Sequence, residues 1–276
     1  VLMASVSSAS SSGLWLPVWS LMQREIVRFL RQRSRLTGAL LQPVIFWVLF
    51  GTGLSGSFRM PGGDAAGNYQ AYFLPGIAAM IVMFTAIFSA ISVIQDRNEG
   101  FLQGVLASPA SRLAIVLGKV GGGATLAVLQ GVLFLLVAPL LRFVGLAPEI
   151  ALPASAGAWL GMVAMLVLIA VSLCGLGYAL AWRLDSVQGF HAVMSVLFFP
   201  MWLLSGAFFP VAESGWLGWL MRLNPLTYGV AGLRQAMSAS GAVGLPGFGV
   251  SLVVMLLFTV FCLAADVWLT HRPRGV

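Results

Sequence analysis

Residues able to perform acid–base, nucleophilic or metal chemistry are sparse in this sequence. Its 276 residues include only 8 Asp and Glu, 2 His and 2 Cys. His191 and His271 are far apart along the chain, and no cluster of metal ligands forms around either. The serines lack the His and Asp partners that would activate a hydroxyl nucleophile. The sequence therefore contains no recognisable catalytic or metal centre.

The few charged residues are placed unevenly along the chain. Only 8% of residues are charged and 59% are hydrophobic, against about 25% charged in an average globular domain. Six long segments contain no charged residue: 36–58, 65–95, 120–141, 150–182, 186–212 and 235–265. A membrane-spanning helix needs roughly 20 apolar residues. The pattern predicts an all-α integral membrane protein with six transmembrane helices, and the two cysteines, Cys174 and Cys262, as small buried apolar residues within spans.

The net charge of +7 could indicate nucleic-acid binding in a soluble domain. In a membrane protein, the same excess is expected from Lys and Arg on the cytoplasmic side, so we expect no nucleic-acid partner. If both termini are cytoplasmic, eleven Lys and Arg residues lie inside. The outer segments then hold four: Arg59, Arg142, Arg222 and Arg234. This bias predicts cytoplasmic termini.

Residues 14–35 form a predicted amphipathic helix that follows a Ser- and Ala-rich tail (1–13), itself expected to be disordered. The apolar side carries Trp15, Trp19, Met22, Ile26 and Phe29. The opposite side carries Arg24, Arg28, Arg31 and Arg35, with Glu25 at the edge. This helix is expected in the membrane interface, with its arginines toward lipid headgroups or a partner protein. A simple anchor for the first span is the alternative. Glu25 could pair with a neighbouring arginine or with a base of a partner.

The loop 96–112 carries a short helical pattern of its own. Its apolar residues recur at helical spacing: Phe101, Leu102, Val105 and Leu106. Acids precede them, where a helix dipole favours negative charge, and Pro109 marks the stop. We therefore predict a short amphipathic helix exposed on the cytoplasmic side, where it docks on a partner or lies in the interface.

Segment 210–234, before the last span, contains short apolar pieces interrupted by Arg222 and by Asn224-Pro225. Each piece is too short to cross a membrane, which indicates interfacial or re-entrant helices on the outer side. Near the start of the third span, Gly118 to Gly123 is expected to permit close helix packing. Lys119 and Asp266 lie about one turn from predicted cytoplasmic span ends, where snorkelling would bring them to water.

The middle of every predicted span lacks an ionisable residue. An ion-coupled carrier would need such groups, and a membrane-embedded lipid-modifying enzyme would need clustered acids, histidines or metals at the interface. The sequence favours neither alternative over a transport protein whose energy comes from a partner.

The motifs of this chain, taken together, resemble those of one known family. They are Gln23-Arg24-Glu25, the run from Asp96 to Gly100 with Pro109 and Arg112, Gly118-Lys119, Ser205 to Pro210, and Leu223 to Tyr228 with Arg234. From about residue 15 to 272, the chain resembles the permease subunit of type-2 ABC exporters, which move drugs, lipids or polysaccharide precursors outward.

The resemblance implies partners and a location. It predicts a second permease subunit, as a homodimer or heterodimer, in the lipid bilayer of the bacterial cytoplasmic membrane. It also predicts a cytoplasmic ABC ATPase subunit that binds ATP and Mg, with no cofactor on this chain. The six-span domain would cover 36–270, followed by a cytoplasmic tail (271–276). The cargo would be lipophilic or amphipathic, such as a drug, lipid or glycan-lipid.

The resemblance also assigns roles to residues. The 14–35 helix would be a connector helix, with Glu25 bonding toward the loop helix or the ATPase. The loop helix would be the coupling helix, inserting its four apolar residues into an ATPase groove. The residues expected to couple to the ATPase are Glu25, Asp96, Arg97, Glu99, Phe101, Leu102, Val105, Leu106, Pro109 and Arg112. Candidates for the pathway between the second and fifth spans and for the outer gate are Phe84, Phe88, Phe198, Trp202, Phe208, Phe209, Asn224 and Pro225.

Overall fold

A computed structural model describes residues 14–54, 69–148, 150, 153, 155–211, 215–237 and 246–272. Across these ranges the regular structure is entirely helical. The helices are α1 (Trp15–Arg31), α2 (Arg33–Leu54), α3 (Tyr69–Asn98), α4 (Phe101–Ala107), α5 (Arg112–Val137), α6 (Ala156–Arg183), α7 (Val187–Trp202), α8 (Gly215–Leu223), α9 (Pro225–Met237) and α10 (Phe248–His271). A 3₁₀ segment (Ala138–Val144) extends α5, and a π segment (Leu203–Ala207) extends α7. The N-terminal tail 1–13 and residues 273–276 lie outside the described residues.

Within the described part of the chain, six helices are long and apolar enough to cross a membrane: α2, α3, α5, α6, α7 and α10. The mean hydropathy of their most apolar windows lies between 1.5 and 2.6. Each of them takes most of its length from one of the charge-free segments, because a hydrocarbon core disfavours charged side chains and unpaired backbone groups. The predicted six-span, all-α fold is confirmed.

Helix α3 forms the centre of the subunit and packs against α2, α5, α6, α7 and α9. In its spanning window 83% of the residues are buried, against 22% in α2 and in α10. Its apolar residues surround the helix on every side, which is the pattern of a helix enclosed by others. The two ends of α3 therefore carry the contacts that organise both ends of the molecule.

Helix α1 packs closely on α5 through glycines. A Cβ atom added to Gly118 would lie 2.6 Å from Leu21 Cβ, and one on Gly122 would lie 2.7 Å from Glu25 Cβ. Real side chains do not approach so closely, so only glycine permits this helix separation. The expectation that these small residues allow close helix packing is confirmed, and the approach brings polar residues of α1 against α5.

The orientation of α1 differs from the predicted one. Trp15 and Trp19 are exposed, as expected for an interfacial helix, but Phe29 of the same predicted face is buried. Arg24 and Arg28 turn toward α3 and bind its acidic end. The expectation that these two arginines face headgroups or a partner is therefore wrong, because contact with α5 rotates the helix toward the protein.

Two short helices, α8 and α9, precede the last span, and Asn224-Pro225 separates them. The Asn224 side chain accepts a hydrogen bond from the Leu226 amide at 3.0 Å, and Pro225 is the first residue of α9, where its missing N–H costs nothing. Much of α9 is buried among the spans, whereas Trp216 and Trp219 of α8 are exposed. The placement of both helices within the membrane stays a prediction.

Candidate functional site

A group of charged side chains joins α1, α3 and α5 at the end of α3 that continues into α4. We call Arg24, Glu25, Arg28, Asp96 and Lys119 the ion cluster. Arg24 donates two parallel hydrogen bonds to Asp96, from Nη2 to Oδ1 at 2.7 Å and from Nη1 to Oδ2 at 2.9 Å. Arg28 Nη1 donates to Asp96 Oδ1 at 2.5 Å. Asp96 is thus held by α1 from two successive helical turns.

Lys119 completes the ion cluster from α5. Its Nζ donates to Glu25 Oε1 at 2.8 Å and also to Asp96 Oδ2. Lys119 is only 4% exposed, so the expectation that it reaches water by snorkelling is wrong. The ammonium is instead neutralised by two buried carboxylates, because α1 covers the side of α5 from which Lys119 projects.

The carboxylates of the ion cluster are buried and therefore depend on their cationic partners. Glu25 is 3% exposed and Asp96 is 0% exposed, whereas the Arg24 and Arg28 side chains retain 29% and 20%. Removing the partners of a buried carboxylate lowers the stability of the folded protein by about 3–5 kcal/mol. Hydrogen bonding to Asp96 raises the pKa of Arg24 above its ordinary value, although burial opposes that shift. The three helices are therefore held in one relative position.

The ion cluster also reaches α4. The Arg24 guanidinium carbon lies 3.6 Å from the centre of the Phe101 ring, a cation–π contact at the first residue of α4. Arg28 Nη2 donates to Gln95 at 3.1 Å and to Glu99 at 3.2 Å. From the other side, Arg112 Nη1 of α5 donates to the Leu106 carbonyl at 3.1 Å. A displacement of α4 would consequently be transmitted to α1, α3 and α5.

Two of the roles expected for residues at this end need correction. Glu25 bonds to Lys119 of the third span, and Arg24, not Glu25, contacts the loop helix. Leu102 is 3% exposed and belongs to the core of this subunit, so it cannot enter a groove of another protein. Its side chain is buried in the core cluster because α4 packs back onto this subunit.

The remaining residues predicted to contact a partner are distributed around the ion cluster. Arg97 donates to Asp185 at 3.1 Å and to the Ala181 carbonyl at 2.6 Å, which ties the end of α3 to the turn between α6 and α7. Val105 and Leu106 are half-buried, and Pro109 is exposed after the end of α4. These exposed and half-buried positions still offer a surface to a partner, and that role stays a prediction.

The opposite end of the molecule is organised around the point where α7 ends. Gly206, with φ of +75°, kinks the π segment in a backbone conformation that favours glycine. Its carbonyl accepts from Arg234 Nη2 at 3.0 Å and from the Tyr72 hydroxyl at 3.1 Å. The guanidinium of Arg234 also lies 3.9 Å from the centre of the Tyr72 ring. Arg234 thereby fastens α9 to both α3 and the end of α7.

The pathway and gate candidates fall into two groups. Phe198 and Trp202 are 0% and 1% exposed, and Trp202 Nε1 donates to the Gly76 carbonyl at 2.8 Å. These two side chains pack inside one subunit against α3 and line no surface of it. The other candidates are half-buried or lie at the junction between α8 and α9: Phe84, Phe88, Phe208, Phe209, Asn224 and Pro225. Their part in a pathway stays a prediction.

The comparison with protein families agrees with this architecture. The family model described as ABC-2 type transporter matches residues 17–238, from α1 through α9. The chain is a member of the ABC-2 type transporter family. The matched region contains the ion cluster, α4 and the contacts of Arg234 at the other end.

Two of the curated relatives reported for this ABC-2 permease are named as permeases. A putative transport permease ycf38 of Porphyra purpurea is 28% identical over 79% of this chain and 73% of its own length. The daunorubicin resistance ABC transporter permease protein DrrB1 of Streptomyces coeruleorubidus is 23% identical over 91% of this chain and 82% of its own. Nodulation protein J of Rhizobium leguminosarum bv. viciae is 28% identical over 75% and 76%. The chain is thus a multi-pass membrane transport permease.

Sequence reasoning missed Lys119 as a member of the ion cluster of this ABC-2 permease. Lys119 lies between two glycines, Gly118 and Gly122, that face α1. Two features of the sequence could have indicated this contact. The lysine stands in a glycine-rich segment suited to close helix packing, and the predicted amphipathic helix 14–35 carries an acid, Glu25, that could pair with it. Because Lys119 is close to a span end, its ammonium group was expected to reach water. The packing of α1 on α5 prevents that contact with water.

Proposed function

We propose that this chain is the transmembrane subunit of an ATP-driven exporter that moves a lipophilic or amphipathic molecule outward. ATP and Mg would bind to a separate cytoplasmic ABC ATPase subunit, and two permease subunits would enclose the pathway. Both termini would be cytoplasmic, in the cytoplasmic membrane of a bacterium. The eleven-to-four distribution of Lys and Arg supports this orientation.

The observation that carries the proposal is the connection of α4 to the ion cluster. The short helix projects from the end of the central span, and Arg24 contacts both its first residue and Asp96 of α3. An ATPase subunit that moved α4 would therefore move α1, α3 and α5 together. Such a rigid connection is what a transport subunit needs if the energy is released in another protein.

The outward direction and the cargo class are supported by two further facts. One relative bears a name that refers to daunorubicin resistance. The spans are rich in aromatic residues and nearly free of charge, which suits a lipophilic or amphipathic molecule such as a drug, a lipid or a glycan-lipid. We expect the cargo to pass between two copies of the permease, not through the packed interior around α3.

The first test separates docking from coupling. Tagged permease is purified from membranes that contain its ABC ATPase, and Val105→Glu in α4 is compared with wild type. A new charge on this half-buried docking position should remove the ATPase from the purified complex. Arg24→Ala should retain the ATPase but lower the amount of cargo moved per ATP hydrolysed, measured in proteoliposomes. Arg31→Ala, an exposed arginine on the same helix, is the matched control and should change neither.

Two results would contradict the proposal. One is recovery of the permease without any ATP-hydrolysing subunit from membranes in which neighbouring genes are expressed. The other is full coupling in Arg24→Ala with normal retention of the partner, because the ion cluster would then transmit nothing.

A further inference from the structure

Asp266 is a carboxyl group buried inside the last span. It belongs to α10, about one and a half turns before the end of that helix at His271, and its exposure is 0%. The expectation that it reaches water by snorkelling is therefore wrong. An ionisable residue inside a span is costly, and it is retained where it has a function.

The Asp266 carboxyl differs from the carboxylates of the ion cluster because it has no hydrogen-bond partner. Neither Oδ1 nor Oδ2 has a donor among the residues that the structure describes. Among the described residues, Asp266 takes part in none of the ion pairs. Burying an unpaired carboxylate costs much more free energy than burying a neutral carboxylic acid. A carboxyl group in such a place therefore binds a proton.

The surroundings of Asp266 are neutral groups that fit a neutral acid. On α6, the Cys174 thiol and the Tyr178 phenol lie within its electrostatic reach, and on α10 the Cys262 thiol does. Helices α5 and α9 also pack on α10. Arg112 of α5 and Arg97 of α3 act on Tyr178, but neither arginine donates to Asp266 among the described residues. All three neighbouring titratable groups are uncharged near neutral pH.

Room for the carboxyl is provided by Gly175 of α6. A Cβ atom on this residue would lie 3.0 Å from Asp266 Oδ2 and 3.1 Å from Cys262 Cβ. The absence of a side chain on α6 thus creates the space that the carboxyl occupies. Helix α10 packs along α6 at this point, so separation of the two helices would admit water to the acid.

We propose that Asp266 is a proton-binding site in the last span of this permease. The carboxyl is neutral while α10 packs on α6, and it releases its proton to water when the two helices separate. Binding of H⁺ therefore favours the packed arrangement, and the equilibrium between the two arrangements depends on pH.

Infrared spectroscopy of the purified permease in lipid tests the proposal directly. The carbonyl-stretch band of a protonated carboxylic acid should be present in the wild type near neutral pH and absent from Asp266→Asn. Asp185→Asn is the matched control: Asp185 is exposed and paired with Arg97, so this variant should keep the band. Identical wild-type and Asp266→Asn spectra in this region would overturn the proposal.

Thermal unfolding gives a second, independent readout. A site that binds its proton only in the folded state loses stability as pH rises, whereas asparagine, which matches the neutral acid in shape, does not titrate. From about pH 6 to about pH 8, the unfolding temperature of the wild type should fall relative to that of Asp266→Asn. A wild type that becomes more stable than Asp266→Asn over the same interval would show a partnered carboxylate and refute the proposal. If Asp266→Asn does not fold, labelling of wild-type Asp266 by a hydrophobic carbodiimide replaces both comparisons, with Asp96 as the unlabelled ion-paired control.

Discussion

Removal of the Lys119 ammonium is the sharpest test of the ion cluster. In Lys119→Met, Asp96 would keep its hydrogen bonds to Arg24 and Arg28. Glu25 would keep only a distant contact with Arg24, at 3.4 Å. A carboxylate that is 3% exposed would then be nearly unpaired. Breaking a buried ion pair from one side costs about 3–5 kcal/mol, and we expect a loss of this size.

A second substitution should restore part of that stability. Glu25→Gln removes the carboxylate that Lys119→Met leaves unpaired, so the double variant should be more stable than Lys119→Met alone by roughly 1 kcal/mol or more. Glu25→Gln by itself should cost about 1–3 kcal/mol, less than Lys119→Met, because Lys119 would still be bound to Asp96. The free energy of unfolding of each variant is measured in mixed micelles by denaturant titration.

The order of the variants, more than any single value, decides the outcome. Arg31→Met is the control for loss of a cation from the same end of the molecule, and it should change stability little because Arg31 is exposed. If the double variant were no more stable than Lys119→Met, the stability lost in Lys119→Met would not come from an unpaired Glu25 carboxylate. If Lys119→Met matched Arg31→Met, the ion cluster would contribute nothing to stability.

Three further predictions concern packing and topology. Gly122→Leu should destabilise the permease by about 1–3 kcal/mol or more, because a side chain there enters α1, as thermal unfolding would reveal. Trp202→Phe should cost about 1–3 kcal/mol by removing the indole donor from the buried Gly76 carbonyl of α3, whereas Trp219→Phe, 68% exposed, should be neutral in the same assay. Cysteines introduced at Phe143 and Arg272 should react with a membrane-impermeant reagent from opposite sides, with Phe143 labelled from outside.

The control for the glycine substitution lies in the same motif. A Cβ atom on Gly121 would meet only the flexible Met22 thioether at 3.6 Å, so Gly121→Ala should be tolerated. Equal destabilisation by the two changes would indicate a general loss of helix flexibility and not contact with α1. Labelling of both introduced cysteines from one side would contradict the orientation inferred from Lys and Arg.

The spans could be predicted from sequence because one physical constraint decides them. A hydrocarbon core excludes charges, so charge-free segments identify spans without any knowledge of packing. The helix α4 was also predictable, because Phe101 and Val105 stand at helical spacing between acids and Pro109. The spans follow from the exclusion of charge by the bilayer, and α4 follows from the spacing of neighbouring residues. Neither prediction requires knowledge of contacts between residues distant in sequence.

The ion cluster and the Asp266 site could not be predicted in the same way. Lys119 and Asp266 both stand near span ends, where sequence alone suggests access to water. Their burial depends on helices distant in sequence: α1 covers Lys119, and α6 covers Asp266. The two sites then differ because α1 brings a carboxylate to Lys119, whereas α6 brings a glycine, a thiol and a phenol to Asp266.

The position of the ion cluster along the chain has a consequence for biogenesis. All five of its residues lie between Arg24 and Lys119, so each is added to the chain before the first residue of α6. The central helix α3, in contrast, obtains its covering from α6, α7 and α9 only later. Since chains fold in part during synthesis, N-terminal elements first, α1, α3 and α5 can neutralise one another's charges at the membrane surface while the rest of the permease is still being made.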